Sequence, residues 1–210
     1  MFRRKKRDEE PVEETGAEEA PGPRASGPFD ASEVTIPEGD TSRVDLGSLL
    51  LTPHEGLELQ LQVDEASGQV QAVIMAGQTG AVELRAFAAP RNGDIWADVR
   101  RAVAAEVARM GGTATETEGA YGTEVVVSLG ATRDDGQVVQ QTSKVVGIPG
   151  PRWLLRATLF GRPAVEHLPD GDVESALRDV VVVRGSTPVP PGDPLPLAMP
   201  DNTQRVDPPT

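Results

Sequence analysis

The residues of this chain that could perform chemistry are few and scattered. His54 and His167 are the two histidines, they fall in unrelated predicted loops, and the chain has no cysteine. Neither histidine has a second ligand at metal-binding spacing or a thiol to activate. The Gly-rich phosphate loop, the dinucleotide-binding loop and the nucleophile elbow are also missing from the sequence. We therefore predict no catalytic residue, no metal site and no cofactor.

A short acidic series, Asp170, Asp172 and Glu174, could contact a hard cation. The spaced oxygen ligands of a calcium-binding loop do not follow it. Acidic residues at the start of a helix complement the helix dipole, and this structural interpretation is favoured.

A possible interaction surface is carried by two neighbouring predicted strands. Arg152 and Arg156 flank Trp153 on one strand, and Gln140 and Lys144 lie on the strand before it. An exposed basic sheet face can bind an anionic peptide or stack on a base. The alternative is that these side chains only solvate the outer face of the sheet. The alternative is favoured, because residue 153 alternates with both arginines and so points to the opposite face.

The N-terminus begins with a basic block that is a possible tether, consisting of Arg3, Arg4, Lys5, Lys6 and Arg7. Near an anionic membrane each such residue contributes about 1 kcal/mol of attraction. Seven acidic residues follow between positions 8 and 19 and oppose that attraction. A solvated, disordered tail is therefore favoured over a weak membrane or nucleic-acid contact.

Composition limits the class of protein. The 210 residues carry a formal net charge of −13, which argues against broad nucleic-acid binding by the folded domain. No apolar run is long enough to span a bilayer, and acidic residues stand where the apolar region of a signal peptide would be. The absence of cysteine fits a reducing compartment. We expect a cytoplasmic protein with no transmembrane segment.

The patterning predicts an α+β fold with a single antiparallel sheet of about seven or eight strands. Residues 57–63 and 153–159 alternate apolar and polar side chains, as half-buried strands do. One long helix, from Asp94 to Met110, carries an apolar stripe and is expected to pack across the sheet. A short C-terminal helix is predicted over residues 172–180. Pro149 and Gly150 suit the centre of a type II turn between two strands.

Four segments are predicted along the chain. Residues 1–26 are a disordered charged tail, residues 27–43 an extended lead-in, residues 44–185 the globular domain, and residues 186–210 a Pro-rich C-terminal tail.

Several short motifs resemble an actinobacterial family designated domain-of-unknown-function family 3710. They are GPFD at residues 27–30, LGSL at 46–49, AFAAPR at 86–91, GPRW at 150–153, RDVVVVRG at 178–185 and PLPL at 194–197. The resemblance implies a bacterial cytoplasmic protein and carries over no activity and no site residue. The order of elements is also similar to the PsbP and Mog1 architecture, whose members mostly serve as binding modules.

The leading hypothesis is a non-catalytic protein-interaction or scaffold module with an unidentified protein partner, because residues for catalysis are lacking and a polar strand is available. A second hypothesis is a small-ligand binder or enzyme with a pocket between helix and sheet. A third is a protein tethered to membrane or RNA through its basic N-terminus.

Overall fold

The fold is built from eleven strands and three helices in the part of the chain that the computed structural model describes, residues 26–37, 39–91, 95–132 and 136–200. In chain order the elements are β1 (Phe29–Asp30), β2 (Val44–Asp45), β3 (Leu49–Leu51), β4 (Glu58–Val63), β5 (Val70–Ala76), β6 (Gly80–Ala88), α1 (Trp96–Arg109), β7 (Thr113–Gly119), β8 (Gly122–Thr132), β9 (Val138–Gly150), β10 (Trp153–Gly161), α2 (Arg162–Val165), α3 (Asp172–Arg178) and β11 (Val181–Val182).

The main sheet has seven antiparallel strands in the order β4-β5-β6-β10-β9-β8-β7. Its central strand, β10, pairs with β6 on one side and β9 on the other, and its residues alternate between buried and half-buried positions. The alternation predicted over residues 153–159 is therefore that of a real strand, with one face turned to the core.

A second, four-stranded sheet in the order β1-β11-β3-β2 corrects the prediction of a single sheet. Its strands are two or three residues long and come from distant segments, and β1 and β11 run parallel. Strands this short show no period in the sequence, which is why the patterning did not separate them from the main sheet.

Helix α1 differs from the long helix that was predicted to cross the sheet. It spans Trp96–Arg109 and packs on β7 and β8, at one end of the main sheet. Its apolar side chains join Val125, Val127, Val145 and Leu154 in a separate buried cluster. Asp94, the predicted first residue, lies outside the described residues. Among the described residues, the helix and its cluster therefore cover one sheet face from β7 to the start of β10, and the half-buried outer residues of β6 and of the rest of β10 lie beyond them.

The larger core lies between the two sheets and is anchored by Trp153, which is fully buried. The indole Nε1–H of Trp153 donates to Asp30 Oδ2 over 2.6 Å. Asp30 also accepts from the backbone N–H and the hydroxyl of Ser32. A buried indole N–H needs such an acceptor, so Asp30 on β1 fixes the small sheet against the centre of the main sheet.

The turn between β9 and β10 is centred two residues later than predicted. Gly150 pairs with Trp153, so Pro151 and Arg152 occupy the turn. Arg152 has φ of +64°, at the position where a type II turn requires a positive φ. The proline before it suits the preceding position of the same turn.

Segments on both sides of the predicted domain boundaries take part in this structure. Leu195 is buried, and Leu197 forms bridges with Gly47 and Val70. The division of the chain at residues 43 and 185 stays a prediction. The described residues include no helix that could span a membrane.

Candidate functional site

Within the part of the chain that the structure describes, each face of the main sheet is covered over one half and open over the other. The inner face carries Trp153, Leu155 and Leu159 and packs against the small sheet and α3. The outer face carries the alternate residues, and α1 covers it at the β7–β8 end. This leaves two open regions, the outer face of β6 and β10 and the inner face of β7, β8 and β9. Both contain charged side chains that are largely buried.

The four residues predicted as an interaction surface are not brought together. Lys144 pairs with Leu159 and therefore lies on the inner face, as does Gln140, whose side chain accepts a hydrogen bond from Ser128 Oγ. Arg156 lies on the outer face, where it pairs with Arg85 of β6.

Arg152 lies apart from the other three, in the exposed turn between β9 and β10. Its carbonyl accepts hydrogen bonds from the Ala89 N–H and from Arg184 Nε. These bonds tie the turn to β6 and to the segment after β11, so the backbone of Arg152 has a structural part.

On the outer face, Glu83, Arg85, Phe87 and Arg156 form a cluster that we call the arginine face. Glu83 Oε1 accepts from Arg85 Nε over 2.9 Å and from Arg156 Nη2 over 3.4 Å. Arg85 also donates to Gln62 Oε1 on β4. Two guanidinium groups thus share one carboxylate, and the cluster keeps one net positive charge.

Arg156 is the more constrained of the two arginines. Its side chain is 22 % exposed, its guanidinium carbon lies 5.6 Å from the centre of the Phe87 ring, and its Nε has no hydrogen-bond partner among the described residues. Burial is the main cause that lowers the pKa of Arg156, and the nearby positive charge of Arg85 lowers it further. A further anion beside Arg156 would therefore be stabilised.

On the inner face, a cavity of about 410 Å³ lies between β7, β8 and β9 and the segment that begins with α2. We call this cavity the groove. It is lined by Thr117, Glu118, Gly119, Ala120, Glu124, Val126, Thr142, Lys144, Ala164, Val165 and His167. The lining combines one ion pair, two threonines, a small apolar wall and two exposed ionisable residues, Glu118 and His167.

The ion pair of the groove has a long separation for its degree of burial. Lys144 Nζ lies 3.7 Å from Glu124 Oε2, and the two side chains are 14 % and 6 % exposed. Glu124 Oε1 accepts from the Tyr121 backbone N–H over 3.3 Å. Charge-assisted hydrogen bonds between such groups are usually 2.7–2.9 Å long. The pair therefore balances charge without a short hydrogen bond between its members.

The hairpin between β7 and β8 brings Glu124 into place. A β-carbon at Gly119 would overlap the Glu124 carboxyl group, so the glycine leaves the space in which that carboxyl group lies. Tyr121 lies in the same hairpin, and burial raises the pKa of its hydroxyl. Glu174 and Glu124 raise that pKa further, while Arg178 opposes them. The hairpin thus holds several ionisable side chains beside the groove.

Sequence reasoning missed three of the charged residues in these regions. Glu83, Arg85 and Glu124 occupy ordinary strand positions, and no motif marks them. Among the described residues, no three His, Asp or Glu side chains are grouped as metal ligands would be. The predicted tether at residues 3–7 lies outside the described residues.

The fold and these two regions define an α+β protein with an antiparallel main sheet, a second small sheet and two open, charged sheet regions. The family model described as "Protein of unknown function (DUF3710)" matches residues 27–206, and the chain belongs to this family. A search of curated proteins found no match to the chain.

The motifs that carry the resemblance converge mainly on the core between the two sheets. Asp30 of the first motif binds Trp153 of the fourth, and Gly47 of the second forms a bridge with Leu197 of the last. Arg85, Glu124, Lys144 and Arg156 lie outside these motifs. The motifs therefore indicate the fold. The function of the two open regions has to be inferred from the chemistry of the residues that form them.

Proposed function

We propose that this protein is a non-catalytic interaction module that binds an acidic segment of a partner protein through the arginine face. The observation that carries the proposal is the sharing of one carboxylate, Glu83, by Arg85 and Arg156. A carboxylate from a partner would pair with the second guanidinium and reduce the repulsion between the two arginines.

The surroundings of Arg156 favour a peptide side chain as the source of that carboxylate. Phe87 provides an aromatic surface beside the guanidinium, which an aliphatic stem can contact while its carboxylate pairs with the arginine. Half-buried arginines are also typical anchors of protein interfaces, because their charge is partly desolvated before binding.

The net charge of the chain favours a short acidic segment over a long polyanion. At physiological ionic strength charges are screened beyond about 8 Å, so a short segment experiences chiefly the local positive charge. A long nucleic acid would also approach the remainder of a chain whose net charge is −13.

The experiment compares two double charge reversals in the full chain. Arg85→Glu with Arg156→Glu removes the proposed site. Arg101→Glu with Arg109→Glu makes the same change in net charge at two exposed arginines of α1, which pair with Asp98 and Glu106. Binding of a fluorescent hexaglutamate peptide is measured by anisotropy at low and physiological salt.

The first variant is expected to bind the peptide at least about tenfold more weakly, since each charge-assisted hydrogen bond contributes roughly 1.5–3 kcal/mol. The α1 variant is expected to lose only the smaller, salt-sensitive part of the affinity. Equal losses of peptide affinity in the two variants would mean that binding depends only on the net charge of the chain, which would contradict the proposal.

Three predictions from the sequence are not required by this proposal and stay predictions. They are the actinobacterial origin, the cytoplasmic location and the likeness to PsbP and Mog1. A scaffold role is a more specific version of this proposal. It would follow if the acidic segment belonged to a protein that stays bound to this chain.

A further inference from the structure

We propose that the groove is a second binding site, independent of the arginine face, and that it binds a small zwitterion of the α-amino acid type. Two buried charged side chains on the inner face, Glu124 and Lys144, carry the proposal. Glu118 and His167 also line the cavity but are exposed, and Glu118 Oε1 accepts a hydrogen bond from Thr123 Oγ1. Glu124 and Lys144 both line the cavity, and their nearest charged atoms are 3.7 Å apart.

The hydrogen-bonding capacity of this pair is largely unused by the described residues. A carboxylate can accept about four hydrogen bonds and an ammonium group donates three. Glu124 accepts one long bond, from the Tyr121 N–H, and its separation from Lys144 exceeds hydrogen-bond length. Burying two charges with so few hydrogen bonds costs stability, and a ligand that supplies the missing bonds would recover part of that cost.

The two buried charges select the class of ligand, because solvent screens them less than it screens the exposed Glu118. A simple anion would pair with Lys144 but be repelled by Glu124, and a simple cation would meet the opposite problem. A molecule with an ammonium and a carboxylate group a few ångströms apart can satisfy both, because its ammonium faces Glu124 and its carboxylate faces Lys144. The hydroxyl groups of Thr117 and Thr142 line the same cavity and can bind the ligand carboxylate.

The remaining lining suits a small aliphatic side chain. Val126, Ala164 and Val165 contribute apolar surface, and a volume of about 410 Å³ lies in the range of small-molecule sites. Val165 is 71 % exposed although it lines the cavity, so covering it would bury apolar area on binding.

The test uses the full chain and three probes that share the isobutyl side chain of leucine. L-leucine carries both charges, 4-methylpentanoate carries only the carboxylate, and 3-methylbutylamine carries only the ammonium group. Binding is followed by the amide shifts of a ¹⁵N-labelled sample and by the melting temperature. L-leucine is expected to shift the amides of residues 117–126 and 142–144 and to raise the melting temperature, with the two half-molecules at least about tenfold weaker.

Two exposed valines provide a matched pair of variants that does not depend on disturbing the buried ion pair. Val165→Arg places a large side chain at the groove, whereas Val138→Arg makes the same change at a position that is 70 % exposed and does not line it. L-leucine binding is expected to weaken at least about tenfold in the first variant and to stay unchanged in the second.

Three results would overturn the proposal. They are no amide shift with L-leucine, equal responses to L-leucine and to one of its half-molecules, and equal L-leucine affinity in the Val165→Arg and Val138→Arg variants. Lys144→Met adds a check on the charge selection, because it should lose L-leucine binding while 3-methylbutylamine binding is kept or strengthened.

Discussion

The arginine face and the groove use the same kinds of residue on one sheet, yet their geometry differs. Glu83 accepts hydrogen bonds from two arginines, over 2.9 Å and 3.4 Å. Glu124 faces a single lysine at 3.7 Å. In the first cluster one carboxylate is hydrogen-bonded to two guanidinium groups and positive charge is in excess, whereas the buried pair of the second is balanced in charge but has no hydrogen bond between its members. Local charge and local hydrogen bonding therefore predict different ligands for the two regions.

The largest difference between the regions is expected when one cation is removed from each. Lys144→Met leaves Glu124 buried without its cation and should lower the free energy of unfolding by about 3–5 kcal/mol. Arg85→Met leaves Glu83 with Arg156 and should cost less than about 1 kcal/mol, because that pair is more exposed. Urea unfolding of both variants gives the comparison. Similar losses of unfolding free energy in the two variants would contradict the expectation that the Glu124–Lys144 pair is more strongly desolvated than the arginine face.

A smaller effect is expected from a methyl group added beside Glu124. Gly119→Ala places a β-carbon on the Glu124 carboxyl group and should lower the unfolding free energy by about 1–3 kcal/mol through overpacking. Gly130→Ala, on the neighbouring strand, would place its β-carbon 3.3 Å from Val138 and serves as the control. Equal losses of unfolding free energy in the two variants would contradict the placement of the Glu124 carboxyl group against Gly119.

The smallest expected effect is a pH dependence from Tyr121. Burial raises the pKa of its hydroxyl above the usual value of 10.0, which the unfolded chain keeps. Its contribution to stability is fully present below pH 10 and is lost as the pH rises through the folded-state pKa, because the unfolded chain then releases its proton first. Unfolding free energies of the native chain and the Tyr121→Phe variant, measured between about pH 8 and 11, isolate this contribution. A parallel decline in both proteins would contradict it.

Much of the main sheet could be predicted from local patterning, and the small sheet could not. Alternation in residues 57–63 and 153–159 indicates strands because each buries one face. Pairing of β1 with β11 joins residues such as Phe29 and Val181, far apart in the chain, and two-residue strands give no periodic signal. The side on which α1 packs is likewise decided by tertiary contacts and not by its stripe.

The candidate site was only partly accessible from the sequence. Lys144 and Arg156 were singled out, but their placement on opposite faces follows from hairpin register. A two-residue turn pairs even-numbered with odd-numbered residues here, so Lys144 must share a face with residues such as Leu159. That signal was present in the sequence. The pairing of Lys144 with Glu124 depends on the register of β8 against β9, which the sequence pattern does not fix.

The most direct test of two open regions with different ligands is one amide-shift titration of the full ¹⁵N-labelled chain with hexaglutamate peptide and, separately, with L-leucine. Two separate sets of shifted amides are expected, at residues 83–87 and 156–158 for the peptide and at residues 117–126 and 142–144 for L-leucine. The same set of shifted amides for both probes, or no shift with either, would contradict this expectation.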